Sequence, residues 1–464
     1  MDGQNLPEAG RVKGCATGWL GTLRCRVDAG GGRTAPSIHS TLQKKEEYLT
    51  PSVIANPALA PEGEKKIAWA GQHMPVLNAL RERQLGDGSL KGLRIAMTIH
   101  LEAKTGYLAR VLQAAGAEVA VCGSNPLSTR DDICAALAAG GVTVYARYNP
   151  APEEYRRFQE LTVEFEPDFV IDDGADLCAL LHTTHRRFLP RVKGASEETT
   201  TGVKRERAME ADGTLAFPVI AANDADCKHL FDNRHGTGQS SINAIASLTN
   251  LMMGGKTVVV GGYGWCGRGL ARYAHGMGAQ VIVTEVDPIK ALEAYADGFR
   301  VMPMLEAARV GEIFVTSTGD REIVTTEHFQ VMRDGAILAN AGHFDVEVDV
   351  HALRALAVSE EEVRPDVTEF RLPDGRRLHL LAKGRLVNIA GAQGHPVEII
   401  DLSFAVQALS LHYLIHNYRT LQPRVYKLPH EIDEEIARIK LDTLGIKIDR
   451  LTASQEEYLH SWRD

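Results

Sequence analysis

The chain has 464 residues, of which 44% are hydrophobic and 24% are charged, and its formal net charge is −9. This composition is typical of a globular protein of two or three domains. The negative charge disfavours nonspecific binding to nucleic acid or to an anionic membrane surface, and no run of 18 apolar residues predicts a membrane-spanning helix. The seven cysteines are scattered and odd in number, so we predict free thiols and a cytoplasmic protein.

The N-terminal stretch, residues 1–45, differs from the rest of the chain. It is rich in glycine, with GGG at 30–32, and has no sustained periodicity. Its apolar patch at Trp19–Leu20 is too short and too interrupted for a secretion signal. We therefore predict a disordered extension here.

Helical and strand-like segments alternate between residues 46 and 225. Helical spacing covers Ile67–Arg83 and Ala103–Ala115, and the apolar runs predicted as strands are Leu93–Thr98, Glu118–Cys122, Val142–Ala146 and Phe169–Ile171. This order predicts a mostly parallel sheet covered by helices. His100 and Asp173 directly follow two of these strands, at the carboxyl edge where such sheets bind ligands.

The most specific motif of the chain follows the apolar run Thr257–Val260 and reads GGYGWCGRG over residues 261–269. Gly262 permits a tight turn, Gly264 lets backbone N–H groups approach a pyrophosphate, and Gly267 lets the following helix pack closely on the strand. The N-terminus of that helix offers unpaired N–H donors to phosphate. The motif therefore predicts a dinucleotide site.

Glu285 predicts which dinucleotide binds. It lies 23 residues after Gly262, at the end of the next apolar run. A carboxylate there accepts hydrogen bonds from both ribose hydroxyls and repels a 2′-phosphate, so we predict NAD rather than NADP as the cofactor.

The remainder of the chain completes a second α/β region and ends in helices. Ile313–Thr316 and Ala336–Ala341 are further predicted strands, Gly394–Pro396 is a predicted hinge, and Leu428–Asp464 is a charged helical tail. The predicted fold class is α/β, with two Rossmann-like doubly wound domains and a short helical C-terminal tail.

Several long strings, in order along the chain, resemble the S-adenosylhomocysteine hydrolase family. They are SEETTTGV (196–203), FDNRHGTGQS (231–240), GYGWCGRG (262–269), TEVDP (284–288), NAGHFDVEVDV (340–350), GRLVN (384–388) and GHP (394–396). The resemblance covers about Ile67 to Leu459, and the strings NRHGTGQS and GYGWCGRG are more similar to the archaeal and thermophile-type branch than to the animal type.

The resemblance implies a hydrolysis that proceeds through oxidation. Tightly bound NAD⁺ oxidises the 3′-hydroxyl of the nucleoside, the ketone acidifies the C4′ proton, and homocysteine leaves from C5′. Water then adds and the ketone is reduced, so that NAD⁺ is regenerated in each turnover. The resemblance also implies a substrate-binding domain (46–225 and 397–427), an NAD-binding domain (235–394) and a homotetramer.

Carried over position by position, the resemblance implies a catalytic set of His100, Asp173, Glu198, Lys228, Asp232 and His343. Lys228 is implied as the base beside the ribose, and we expect burial near other charges to lower its pKa. Asp232 lies four residues later, on the same side of a helix or turn, and with Glu198 is implied to bind the ribose hydroxyls. His100 and Asp173 are implied in C4′ proton transfer and water activation, together with His343.

The resemblance implies two further groups of residues. The cofactor contacts are Thr199, Thr200, Thr201, Asn233, Gly262, Gly264, Trp265, Cys266, Gly267, Arg268, Gly269, Glu285, Asn340, Ala341, Gly342 and Asn388. The substrate contacts are Glu102, Lys104 and His395. We predict no metal site, since Cys178, His182 and His185 lack a fourth ligand nearby.

Two departures from the animal-type pattern affect the interpretation. Thr237 replaces a common cysteine of the family, which removes a thiol near the nicotinamide. Glu102 and Lys104 stand where the animal type has a threonine and a glutamate facing the purine. A carboxylate accepts from the 6-amino group of adenine, whereas an ammonium donates to the 6-oxo group of hypoxanthine. S-inosylhomocysteine is therefore an alternative substrate, unless Lys104 pairs with Glu102 or points elsewhere.

Two other functions remain as alternatives. An ordinary NAD-dependent dehydrogenase would accumulate NADH in step with its product, whereas a hydrolase shows no net NADH. A non-catalytic NAD- or nucleoside-binding regulator would not need the acid–base residues of the predicted catalytic set.

Overall fold

The computed structural model describes residues 51–462, and the extension predicted for 1–45 lies outside them. Fifteen strands form two sheets in these residues. In chain order the strands are β1 Arg94–Ile99, β2 Glu118–Gly123, β3 Thr143–Val144, β4 Phe169–Asp172, β5 Gly194–Glu197, β6 Val219–Ile220, β7 Thr257–Gly261, β8 Gln280–Thr284, β9 Arg300–Val301, β10 Ile313–Thr316, β11 Ala336–Asn340, β12 Ser359–Arg364, β13 Val367–Arg371, β14 Arg377–Leu381 and β15 Val425–Tyr426.

The helices alternate with these strands and cover both sheets. In chain order the α-helices are α1 Ala60–Gln72, α2 Pro75–Glu82, α3 Ala103–Ala114, α4 Asp131–Ala139, α5 Pro152–Glu164, α6 Asp176–His182, α7 Thr200–Ala211, α8 Asp226–Lys228, α9 Thr237–Thr249, α10 Trp265–Gly276, α11 Pro288–Ala296, α12 Met304–Val310, α13 Thr326–Val331, α14 Val350–Leu356, α15 Val387–Ala390, α16 Val397–Asn417, α17 His430–Thr443 and α18 Ala453–His460. A π-helix, His229–Gly236, joins α8 to α9.

The first sheet has the order β15-β6-β5-β4-β1-β2-β3, and all its pairs are parallel. The second has the order β12-β13-β14-β11-β10-β7-β8-β9 and is parallel except for the pairings of β12 with β13 and of β13 with β14. Two doubly wound sheets of this kind confirm the predicted α/β class.

The strand order fixes where a ligand can bind. Successive strands are added on one side of β1 up to β3 and then on its other side from β4, and the strand order reverses in the same way between β7 and β10 in the second sheet. Loops at such a switch point diverge and leave a crevice beyond the carboxyl ends of the strands. His100 and Asp173 follow β1 and β4, whereas Gly262 and Ser317 follow β7 and β10.

Prolines set the boundaries of several helices. The helical spacing of Ile67–Arg83 belongs to two helices, because Pro75 cannot continue α1 and instead begins α2. The chain returns to the first sheet through α16, a 21-residue helix that begins after Pro396.

In the described part of the chain α16 alone is long and apolar enough to cross a bilayer, and 67% of its most apolar window is buried inside the protein.

Candidate functional site

A cleft of about 460 Å³ opens at the carboxyl edges of both sheets. Most of the residues predicted for the site line it. They are Glu102, Lys104, His395, His100, Asp173, Glu198, Lys228, Asp232, His343, Thr199, Thr200, Thr201, Asn233, Gly264, Trp265, Cys266, Arg268, Ala341, Gly342 and Asn388. The predicted residues that do not line it are Gly262, Gly267, Gly269, Glu285 and Asn340.

The glycine turn after β7 gives the cleft a bare backbone wall. Gly262 has φ of +92°, a left-handed conformation that glycine adopts without strain. A Cβ at Gly267 would lie 2.0 Å from the Gly262 carbonyl oxygen, so only glycine lets α10 approach β7 this closely. Among residues 51–462, no atom outside the two chain neighbours lies within 4 Å of a Cβ built at Gly264. Gly264 therefore leaves space for a phosphate at the N-terminus of α10, and the turn fits a dinucleotide.

Two of the residues outside the cleft shape its loops. The Glu285 carboxylate accepts hydrogen bonds from the backbone N–H of Tyr263 at 2.7 Å and of Val286 at 2.7 Å, which holds the glycine turn against the end of β8. The buried Asn340 side chain accepts from the Gly342 N–H at 2.7 Å and donates to the Phe344 carbonyl at 2.8 Å. It thereby fixes the loop that carries His343.

Lys228 lies at the centre of a buried ionised cluster. Its Nζ is 3.0 Å from Asp232 Oδ1, 3.4 Å from Glu198 Oε1 and 2.7 Å from Asn233 Oδ1. Asp232 and Asn233 belong to the π-helix, a form that often occurs at functional sites. The expected lowering of the Lys228 pKa was wrong. Burial disfavours the ammonium, but the two carboxylates outweigh burial and raise the pKa of Lys228.

The carboxylates around Lys228 differ in protonation. Burial would raise the pKa of Asp232, but Lys228 and His395 outweigh it and hold that pKa well below the usual range. His395 Nδ1 lies 3.1 Å from Asp232 Oδ2. For Glu198, burial exceeds the attraction of Lys228 and raises the pKa to about 7. The cluster thus combines a fixed anion with a carboxyl group that exchanges a proton near neutrality.

A second cluster joins His100, Asp173 and His343. The two Asp173 oxygens lie 3.6 Å from His100 Nε2 and 3.6 Å from His343 Nδ1. Ser124 donates to Asp173 Oδ2 at 2.8 Å, and Ser128 Oγ lies 2.9 Å from His100 Nδ1. Burial lowers the pKa of His100 to about 4, so its ring is neutral at pH 7 and able to accept a proton.

His343 and Asn388 leave buried polar atoms free to meet a ligand. His343 Nε2 and Asn388 Oδ1 are buried and have no hydrogen-bond partner among the described residues. Both residues line the cleft. Buried polar atoms are nearly always satisfied, so these two atoms mark positions where a bound molecule completes the hydrogen bonding.

The Glu102–Lys104 pair lies at the first-sheet side of the cleft. Lys104 Nζ is 2.9 Å from Glu102 Oε2 and donates to the Gln393 carbonyl at 3.2 Å. The Lys104 backbone N–H also donates to Glu102 Oε2. The Lys104 ammonium therefore pairs with Glu102. This pairing is compatible with either adenine or hypoxanthine as the base of the substrate.

Sequence reasoning missed several polar side chains that orient this site. Ser403 Oγ donates to Asp232 Oδ2 at 2.8 Å, and Gln407 Nε2 donates to Glu198 Oε2 at 2.6 Å. Both lie on α16, more than 160 residues from their partners in the sequence. Glu347 accepts from the Thr318 and Gly319 N–H groups at 2.9 and 2.8 Å. Only Glu347 stood in a string that sequence analysis had singled out.

The histidines weighed as zinc ligands have other partners. His182 Nδ1 lies 2.6 Å from the Cys178 carbonyl oxygen, and its Nε2 accepts from the Ala216 N–H at 3.0 Å. His185 Nδ1 lies 2.9 Å from Thr184 Oγ1. Since both ring nitrogens of His182 contact the backbone, this ring packs within the first-sheet core.

Comparison with known proteins identifies the same family as the residues that line the cleft. Residues 233–394 match the family model "S-adenosyl-L-homocysteine hydrolase, NAD binding domain", and residues 51–190 match "S-adenosyl-L-homocysteine hydrolase". An adenosylhomocysteinase of Thermococcus kodakarensis is 56% identical over 87% of this chain and 96% of its own length. An adenosylhomocysteinase of Archaeoglobus fulgidus is 54% identical over 87% of this chain and 99% of its own length. An S-inosyl-L-homocysteine hydrolase of Methanopyrus kandleri is 52% identical over 91% of this chain and 99% of its own length. The chain belongs to the S-adenosyl-L-homocysteine hydrolase family.

Proposed function

We propose that the protein is an NAD-dependent hydrolase that converts S-adenosyl-L-homocysteine reversibly to adenosine and L-homocysteine. The observation that carries this proposal is the convergence, in one cleft, of the glycine turn with two acid–base clusters, around Lys228 and around Asp173. A binding protein would not need buried ionised groups of this kind, because their desolvation is costly.

The cofactor fits the wall formed by the second sheet. Gly264 and the N-terminus of α10 would hold the pyrophosphate of NAD, and Thr199–Thr201 with Asn388 would hold the nicotinamide end. NAD supplies the hydride acceptor for C3′ and later the hydride donor. Glu285 is half-buried and accepts from the Tyr263 N–H, so in this proposal it supports the turn and also faces the ribose of the cofactor's adenosine half.

Lys228 and Glu198 divide the work at the ribose 3′-hydroxyl. The raised pKa of Lys228 keeps it an ammonium at neutrality, so it stabilises the developing negative charge on the 3′-oxygen by donating a hydrogen bond. Glu198, with a pKa raised to about 7 chiefly by burial, is the group that takes up the hydroxyl proton. Asp232 stays ionised, keeps Lys228 charged and orients His395.

His100 is the base in this proposal for the C4′ proton and for the water that adds at C5′. Its pKa of about 4 makes it neutral, and Asp173 stabilises the imidazolium that forms when the proton is taken up. His343 contacts the other oxygen of Asp173, and its buried Nε2 has no partner among the described residues, so in this proposal it serves the sulfur or the water oxygen once substrate is bound.

The purine is the least determined part of the substrate. Glu102 can accept from a 6-amino group, and Lys104 has a third N–H beyond those used by Glu102 and Gln393, which can donate to a 6-oxo group. The relatives named for adenosyl and for inosyl substrates are almost equally similar to this chain. S-inosyl-L-homocysteine hydrolysis by the same residues is therefore the second candidate.

Homocysteine release from the NAD-loaded enzyme tests both candidates. S-adenosylhomocysteine and S-inosylhomocysteine are supplied in parallel while absorbance is followed for NADH. We expect release from the adenosyl substrate with no net NADH. Release from the inosyl substrate alone would transfer the proposal to that substrate. NADH that accumulates in step with product would identify a dehydrogenase instead.

Cellular location and assembly belong to the same proposal. We infer a cytoplasmic homotetramer, and the free thiols of the five cysteines in the described residues support a reducing compartment. We also propose the domain limits 46–225 with 397–427 and 235–394, and the return of β15 (425–426) to the first sheet supports assigning 397–427 to the first domain.

A further inference from the structure

A cluster of metal-ligating side chains lies outside the cleft, where α16 approaches the turn after α2. His412 and His416 are one helical turn apart on α16, and Asp87 closes the short 3₁₀ turn Leu85–Asp87. The exposed fractions of the Asp87, His412 and His416 side chains are 36%, 21% and 43%. These three residues have no part in the proposed reaction.

The ligand atoms of the three side chains meet at one point. Asp87 Oδ2 lies 2.9 Å from His412 Nε2 and 3.3 Å from His416 Nε2, and the two Nε2 atoms are 3.3 Å apart. Two nitrogen ligands of a tetrahedral zinc ion, each bound at about 2.0–2.1 Å, are themselves about 3.3 Å apart. The three atoms therefore already have the spacing of one face of a zinc coordination tetrahedron.

The surrounding structure holds the ligands in place. Asp87 Oδ1 accepts from the Ser89 N–H at 2.8 Å, which turns Oδ2 toward the histidines. Leu85 is fully buried and anchors the 3₁₀ turn. Two histidines at positions i and i+4 on a helix project from one face, which is the arrangement of the paired ligands in helical zinc motifs.

We propose that Asp87, His412 and His416 form a binding site for a divalent transition metal of the zinc type. Two neutral imidazoles and one carboxylate are ligands that zinc prefers, and solvent would supply the fourth. A metal here would connect α16 to the chain just after the end of α2. Asp401 of α16 already binds the N-terminus of α2 through the Val76 and Leu77 N–H groups, so α2 would be held at both ends.

The test is a zinc titration of the full-length NAD-loaded enzyme in competition with a chromophoric chelator. Wild type is compared with His416→Ala, Asp87→Asn and the matched control His430→Ala, which removes an exposed histidine of α17. Since loss of a group that only hydrogen-bonds to a metal ligand already costs about 10–100-fold in metal affinity, loss of a direct ligand should weaken zinc binding at least tenfold. The control should bind zinc as wild type does.

Two further measurements keep the outcome decisive. Thermal melts in chelator show that each variant folds, and His343→Ala reports any zinc held instead by the cluster of His100, Asp173 and His343, whose ligand atoms also lie within 4.8 Å of one another. Loss of one zinc equivalent in both His416→Ala and Asp87→Asn supports the site. No micromolar binding by wild type, equal binding by all variants, or loss only in His343→Ala overturns it.

Discussion

The two walls of the cleft offer a ligand different kinds of group. The wall after β7 offers a glycine turn whose surface is open at Gly264, next to the side chains of Trp265 and Arg268. The wall from the first sheet and the π-helix offers side chains whose charges are almost entirely buried, such as Lys228, Asp232 and Asp173. Binding of a dinucleotide cofactor depends on shape and on backbone N–H donors, whereas proton transfer depends on how burial and neighbouring charges set protonation. Substitutions should therefore affect the two walls in different ways.

The largest effect is expected at the ionised wall. Lys228→Ala removes the ammonium from between Asp232 and Glu198 and should lower turnover by about 10²–10³-fold, the range typical of a lost hydrogen-bond donor to a developing oxyanion. NAD should remain bound, because the glycine turn is untouched. Steady-state rates and cofactor content after gel filtration measure both effects. Lys256→Ala, which breaks a surface pair with Glu312, is the control. Unchanged turnover in Lys228→Ala would contradict the role assigned to this residue.

An intermediate effect is expected at the backbone wall. Gly264→Ala adds one methyl group that meets no protein atom within 4 Å but enters the cleft where the phosphates would bind. We expect NAD to bind at least tenfold more weakly, about 1.4 kcal/mol, while kcat at saturating NAD changes little. Equilibrium binding of NAD to the stripped protein measures the change. Gly276→Ala, which also meets no atom within 4 Å but lies at the end of α10 away from the cleft, should bind NAD normally. Equal affinity in both variants would show that the turn does not hold the cofactor.

The smallest effect on activity is expected in the first-sheet core behind the ionised wall, where a substitution alters how stability depends on pH. The carboxyl group of Glu206 is fully buried, and burial, with a contribution from Asp172, raises the pKa of Glu206 well above its usual value. The folded protein therefore keeps a proton that the unfolded chain releases near pH 4.3, and this contribution to stability is lost as pH rises above that value. Between the pKa of the unfolded chain and the raised pKa of the folded protein, the free energy of unfolding falls by about 1.4 kcal/mol for each pH unit.

Glu206→Gln should remove this pH dependence. The melting temperature of the variant minus that of wild type should increase from pH 5 to pH 8. For the exposed control Glu62→Gln, this difference should stay constant. A difference that does not change with pH for Glu206→Gln would mean that this carboxyl group is ionised in the folded protein.

The two walls also differ in how far sequence could predict them. The glycine turn was predictable because its constraints are local: the tight turn at Gly262 and the close approach at Gly267 follow from neighbouring positions in one βαβ unit. The ends of predicted strands pointed to His100 and Asp173, whereas the other acid–base residues were located only through the family resemblance. The pKa of Lys228 was predicted with the wrong sign because the balance between burial and attraction depends on the distances to Asp232 and Glu198.

Contacts between distant segments account for the rest of what sequence missed. Ser403 and Gln407 look like ordinary polar positions on a long apolar helix until the fold places them against Asp232 and Glu198. Asn340 was predicted as a cofactor contact, yet its side chain binds the backbone of the loop that carries His343. No local pattern distinguishes these roles, because each depends on which segment lies opposite.

The central claim is that both walls act in one catalytic cycle. The cofactor bound at the glycine turn accepts and returns the hydride, and the side chains of the ionised wall transfer the protons. A rapid-quench single turnover of the NAD-loaded enzyme with S-adenosylhomocysteine tests it most directly, by following reduced cofactor and free homocysteine together. The account predicts that reduced cofactor appears, then returns to NAD⁺ as one homocysteine is released for each substrate consumed. Homocysteine release with the cofactor oxidised throughout, or reduced cofactor that persists after the substrate is consumed, would contradict it.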